Sequence, residues 1–228
     1  MATLRRINLA LGLAAAMFGP SAGAAYFNAL IYDMGPDQRF ISRPMVNDTP
    51  RTNLYTISAY KIDKPGAGGE NRIIGGPMEV VYSPLKFTVQ AGGQEYFKLF
   101  YRGPEDGVER YYRVIFRESP VRMFPLKTQN KYTDVLPVVA MSTILVVRPR
   151  KTTLKFEVDE RTGTIRNTGN TFFRVIIQKG CHGDDESSTQ FYMLPGESYQ
   201  NAIAGGNNKK YIVALGRYHQ LGNGCFSK

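Results

Sequence analysis

The chain of 228 residues holds two histidines and two cysteines. So small a supply nearly removes the commonest general base. No nucleophile elbow, Gly-rich phosphate loop or H-E-x-x-H pattern stands in for it. Catalysis would require a carboxylate pair that nothing in the chain suggests, as a glycan hydrolase on a β scaffold would need. Helix-turn-helix, zinc-finger and RNA-binding signatures are also missing, so a formal charge of +10 selects no nucleic-acid partner. Nor does any apolar run reach the ~20 residues that a membrane-spanning helix needs. These absences point to a binding protein without a cofactor.

The first residues carry an address. Arg5 and Arg6 precede an apolar stretch over 9–18, and Ser21, Ala22, Gly23 and Ala24 follow it. This order reads as an export signal over 1–24, cleaved after Ala24. Losing the two arginines lowers the charge to +8. The mature chain is expected to be exported, with no membrane insertion. An oxidising compartment favours one disulfide between Cys181 and Cys225. It would close a loop of about 44 residues, worth ~3–4 kcal/mol by chain entropy. A zinc site that adds His182 and His219 to the thiols matches no known spacing. Asp184, Asp185 and Glu186 are in reach of calcium by composition, but beside Gly183 they read as a solvated turn.

Short strand-like segments recur between Gly, Pro, Asn and Asp clusters, at 26–32, 39–46, 53–62, 78–82, 86–90, 96–101 and 109–117. A second set follows at 154–158, 164–170, 172–177, 189–194 and 211–215. The pattern is that of an all-β protein, read as two β-sandwiches in tandem. Arg148, Pro149, Arg150 and Lys151 read as a solvated joint between them. The expected domains are 25–149 and 150–228.

The run 135–147 is the most demanding segment. As a strand it would reach roughly 40 Å at ~3.3 Å per residue. Both of its alternate sets are apolar, so both faces want burial and the strand wants a partner. Two strand arginines raise a related question. Arg43 shares a face with Ile41 and Met45, and Arg113 with Tyr111 and Ile115. A guanidinium there must reach water, pair with an internal carboxylate or serve a ligand.

Taken in order, the stretches 83–93, 97–104 and 109–120, then the long apolar strand ending in Arg148 and Pro149, resemble the periplasmic pilus chaperones of the chaperone-usher pathway. The segments 143–150, 167–170 and 191–196 are similar to the alternate branch, typified by chaperones of the common pilus and CS1-like fimbriae. The resemblance implies two immunoglobulin-like domains at an angle. It also implies that a pilin subunit is completed by a strand lent from the chaperone and delivered to an outer-membrane usher. The donor set would be Val135, Pro137, Val139 and Met141; a slip of one residue would substitute Leu136, Val138 and Ala140. Family members anchor the subunit's terminal carboxylate with basic residues. Here the first strand has none, and the resemblance points to Arg43 and Arg113, with Lys98 third. Self-association of the free protein would hide the strand. The rival reading is a pilin or adhesin subunit of the same system, although its N-terminal alternation at 25–32 is weak.

Overall fold

A computed structural model describes residues 24–66, 68–121, 138–222 and 225–226. The export signal therefore lies outside the described residues except for Ala24, as do Val135, Leu136 and Pro137.

The first sandwich packs two sheets. One, in the order β1-β3-β7-β5, uses β1 (Ala25–Phe27), β3 (Phe40–Asn47), β7 (Gln94–Tyr101) and β5 (Val80–Ser83). The other, β2-β9-β8-β4-β6, uses β2 (Ile31–Met34), β9 (Val139–Val147), β8 (Arg110–Pro120), β4 (Asn53–Ile62) and β6 (Lys86–Val89). Alternation places every second side chain between the sheets. Tyr112, Val114 and Phe116 of β8 meet Phe97 and Leu99 of β7 in one core, which Leu145 and Val147 of β9 complete. Aromatic contacts dominate it, with the Phe97 and Phe116 ring centroids 4.7 Å apart.

The segment expected as one strand over 26–32 is two strands. β1 pairs antiparallel with β3, whereas β2 pairs parallel with β9 in the opposite sheet. The chain crosses between the sheets at residues 28–30, because Phe27 packs inside on Phe97 and Phe116 while Ile31 joins a separate outer cluster.

A buried polar group closes one end of this core. Asn47 Nδ2 donates to the carbonyls of Arg51 at 2.8 Å and Val89 at 2.9 Å. Asn53 Nδ2 and the Tyr55 hydroxyl donate to the two oxygens of Glu118, at 3.0 and 3.1 Å.

The second sandwich is built over 156–220. Its sheets are β10 (Phe156–Asp159), β11 (Thr164–Asn167) and β14 (Ser198–Gln200) in that order, and β13-β12-β15-β16. The latter comprises β13 (Thr189–Met193), β12 (Phe173–Gln178), β15 (Lys209–Ala214) and β16 (Arg217–Gln220). The short strands β14 and β16 were absent from the sequence reading. Ile165, Phe173, Val175, Met193 and Ile212 form the smaller core. The Cys181–Cys225 disulfide ties the turn after β12 to the chain beyond β16.

Candidate functional site

β9 is paired unequally. Along its whole length it runs antiparallel to β8, from Val139 opposite Glu118 to Val147 opposite Arg110. On its other edge β2 reaches only from Ile144 to Val147. Ile144 gives its N–H to the Leu30 carbonyl at 2.8 Å, and Arg148 gives its own to Met34 at 3.0 Å. Since successive backbone groups of a strand point to opposite edges, Ala140 and Ser142 turn their N–H and C=O toward that same edge. No described strand pairs with them there. An unpaired edge of this kind is a template for another chain.

The side chains change along the strand as well. Met141, Leu145 and Val147 pack into the core of the first sandwich. Val139 continues that set but is 48% exposed, and Val138 on the other face is 62% exposed. Both apolar faces of the C-terminal half find internal cover. Ile144 and Val146 meet Ile62 and Tyr111 of the first sandwich and Phe172 and Leu194 of the second. Those contacts wall a cleft of about 410 Å³ between the sandwiches, lined by Ile31, Ile144, Val146, Phe172 and Leu194, with Glu70 and Glu197 also bordering it.

At the joint between the sandwiches Arg148 and Pro149 are buried and Arg150 half-buried, contrary to the solvated crossing expected of the charges, and Lys151 is exposed as that expectation has it. Arg148 is only 4% exposed. Its guanidinium grips the Asp33 carboxylate with contacts of 2.7 and 2.8 Å, bonds to Thr171 Oγ1 and the Phe172 carbonyl, and lies 4.3 Å from the Phe172 ring centroid. Glu109 completes the clamp. It accepts from the Tyr111 hydroxyl at 2.6 Å, the Thr171 hydroxyl at 2.6 Å and the Phe172 N–H at 3.0 Å. Burial pushes its carboxyl above the ordinary range, against the pull of the Thr171 and Tyr111 bonds and the Arg148 charge. Arg150 adds bonds to the carbonyls of Pro36 and Gln38, at 2.6 and 2.7 Å. The burial is tolerated because Arg148 meets a carboxylate and every charged group in it is hydrogen-bonded.

The three basic candidates occupy three different surfaces. Arg43 lies on the interior face of its sheet with buried Ile41 and Met45. Its guanidinium sits 5.6 Å from the Tyr32 ring centroid and donates to the Ser42 carbonyl at 2.9 Å. That ring belongs to β2 beside the last paired stretch of β9. Burial raises the Tyr32 hydroxyl to about 12, with Arg43 opposing. Lys98 is exposed between buried Phe97 and Leu99, so it projects from the outer face of that sheet, away from Arg43. Arg113 stands on the outer face of the other sheet, opposite Ile144 in register. It donates to Ser142 Oγ at 3.2 Å and forms an ion pair with Glu70, which holds the Glu70 carboxyl below its usual range. Glu70, Asp33 and Glu109 were not singled out from the sequence.

Elsewhere the chemistry is structural. The thiols bond to each other and are not available as zinc ligands. Asp184 accepts from the Ser187 N–H and hydroxyl, and Asp185 from Gln178, as in a self-satisfied turn. Among the described residues, no group of three His, Cys, Asp or Glu is placed to hold a metal. No helix among them is long and apolar enough to cross a membrane.

No family model matches the chain. Curated relatives do. Over 201 residues, 87% of this chain and 84% of the relative, it is 35% identical to a protein of Escherichia coli O18:K1:H7 named probable fimbrial chaperone EcpE. The chain belongs to the fimbrial chaperones. A second relative, named probable fimbrial chaperone EcpB, from Klebsiella pneumoniae MGH 78578, is 28% identical over 93% of this chain and 96% of its own. Among solved structures, the periplasmic chaperone SfaE superposes with a TM-score of 0.54 at 14% identity, covering 86% of this chain and 97% of its own. The Escherichia coli chaperone DraB gives 0.53 at 13%, covering 87% and 95%. These likenesses carry the fold, two immunoglobulin-like sandwiches, and the family replaces the pilin or adhesin alternative.

Proposed function

We propose that this fimbrial chaperone works in the periplasm, without catalysis, by lending β9 to an incomplete pilin subunit and passing that subunit to an outer-membrane usher. The observation that carries the reading is the open edge at 139–143, where exposed Val138 and Val139 lie beside unpaired backbone groups. A subunit strand laid there gains main-chain hydrogen bonds from Ala140 and Ser142, while the core-facing set fills its groove. Val139 and Met141 belong to that set, and Val135 and Pro137 would extend it. Structural relatives support the reading: the chaperone SafB has been solved in complex with the SafA pilin of Salmonella enterica, with a TM-score of 0.50 to this chain.

Arg113 is the first candidate for the subunit's terminal carboxylate, because it faces outward beside Ser142 and Ile144 where the open edge ends. Arg43 is the second, since it meets no carboxylate among the described residues. Lys98, on the far side of the sandwich, takes no part. The domain division is at 149/150, and the segment 1–24 supplies export.

Co-expression with candidate pilins in a periplasm tests this. The expected product is a one-to-one complex that protects the pilin from proteolysis. Ala140→Pro, which deletes an N–H facing the open edge, should abolish that complex while the free chaperone still folds. A complex recovered in full with Ala140→Pro would overturn the use of this edge.

A further inference from the structure

Arg113 already has an occupant. Glu70 reaches it from the β4–β5 connection, a segment otherwise rich in glycine and proline, and both residues border the outer face where β9 presents Ser142. The approach is specifically built. Asp63 holds the connection by accepting from the Lys64 N–H at 2.6 Å, the Asn71 N–H at 3.0 Å and Asn71 Nδ2 at 2.8 Å. Glu70 N–H closes the turn onto the Lys64 carbonyl at 2.7 Å. Gly69 permits this closure, since a Cβ there would lie 2.6 Å from the same carbonyl. The turn sets Glu70 at φ 65°, a left-handed conformation rare for glutamate, and aims its carboxylate at the guanidinium. Gly66 N–H gives the same oxygen a second donor at 3.3 Å.

We propose that Glu70 is a built-in stand-in for the subunit's terminal carboxylate, which must displace it from Arg113 during capture. This rests on the reading of Arg113 as the anchor. The chemistry is an exchange of one carboxylate for another on one guanidinium. Arg113 is thus kept paired and correctly oriented in the free chaperone, where an unpaired charge on a half-buried apolar face would be costly. The Arg113 side chain is 17% exposed and that of Glu70 38% exposed, so the pair is reachable by an incoming chain end. The partner so selected is a peptide that ends near Ser142 with a free carboxylate. A strand that continues past this point, or ends in an amide, has nothing to offer in place of Glu70. The device therefore discriminates chain termini from internal strands, at the expense of some affinity for the former.

The test uses a short strand-forming peptide of alternating apolar and polar residues, made with a free C-terminal carboxylate and as its C-terminal amide. Affinities for wild type, Glu70→Gln, Glu70→Asp and Arg113→Ala are read by calorimetry. Glu70→Gln should bind the free acid roughly two- to fivefold more tightly than wild type does, the scale of one partly exposed ion pair. Its affinity for the amide should not change, and Glu70→Asp should resemble wild type. In the unaltered protein, the free acid but not the amide should speed amide hydrogen exchange at Lys64, Glu70 and Asn71. Selectivity for the acid that disappears in Arg113→Ala yet is unmoved by Glu70→Gln would retain the anchor and overturn the stand-in. Weaker binding of the acid by Glu70→Gln would make Glu70 a helper of Arg113 and overturn it equally. Absence of selectivity for the acid in every protein would remove the Arg113 anchor and this inference together.

Discussion

The two halves of β9 share one strand, yet they live in different surroundings. From Ile144 to Val147 the backbone is paired on both edges, and both side-chain faces are covered by the two cores and the second sandwich. Over 139–143 it is paired only with β8, and the side chains at Val138 and Val139 stand in water. Composition already differs, since Val139, Ala140, Met141, Ser142 and Thr143 include two hydroxyl residues while Ile144, Leu145, Val146 and Val147 are all large aliphatics. The surroundings differ with it: β2 reaches only Ile144 to Val147, because the chain crosses between sheets at 28–30, and the second sandwich lies against Ile144 and Val146. The second half of the strand is thus used up inside the molecule, and only the first half is left for the loan proposed above.

The largest effect should come from removing the clamp that seats the second sandwich on the covered half. Arg148→Ala leaves Glu109 buried without its cation and Asp33 unpaired, and should cost about 3 kcal/mol or more, read by urea unfolding. It should also expose Ile144 and Val146, making the two halves of β9 more alike.

Truncation within each half gives the next contrast. Leu145→Ala removes a fully buried side chain and should cost about 2–5 kcal/mol. Val139→Ala should stay within about 0.5 kcal/mol of wild type in stability, while weakening pilin capture. Equal losses of stability at the two positions would erase the comparison.

The smallest effect is acid-dependent and lies at the end of the covered half, where Arg110 stands opposite Val147 in register. Its hydrogen bonds hold the Asp106 carboxyl down at about 2. The folded value is below the unfolded 3.8, so this contribution is present above pH 4 and fades as pH falls toward 2. Asp106→Asn should flatten that part of a melting-temperature profile. A profile unchanged by the substitution would show that the pair adds nothing in solution.

Much of this was legible from the chain. The strand pattern, the two sandwiches, the disulfide and the apolar run follow from alternation, turn residues and an even cysteine count. The crossing at 28–30 did not show, because an alternating segment reads alike whether one sheet or two receive it. Arg148 was read as solvated because its partners Asp33 and Thr171 are remote in sequence, and only the docking of two sandwiches brings them together. For Arg113 the sequence allows water, an internal carboxylate or a ligand. The internal partner exists, but Glu70 sits in a glycine-rich turn that carries no strand periodicity and so nothing in the sequence ties it to Arg113. β14 and β16 do not show, because Ser198–Gln200 and Arg217–Gln220 each carry a single tyrosine among polar residues and so no apolar alternation.

The polar group at the end of the first core fixes the strand on which β9 is laid. An apolar ladder can slide by two residues and still look satisfied, whereas Asn53 and Tyr55 meet the Glu118 oxygens in one alignment of β4 against β8 only. Glu118 is also the residue opposite Val139, the first described residue of β9. A carboxylate and two neutral donors thus bolt β8, the strand against which β9 lies along its whole length, and on that fixed neighbour the proposed loan would be made.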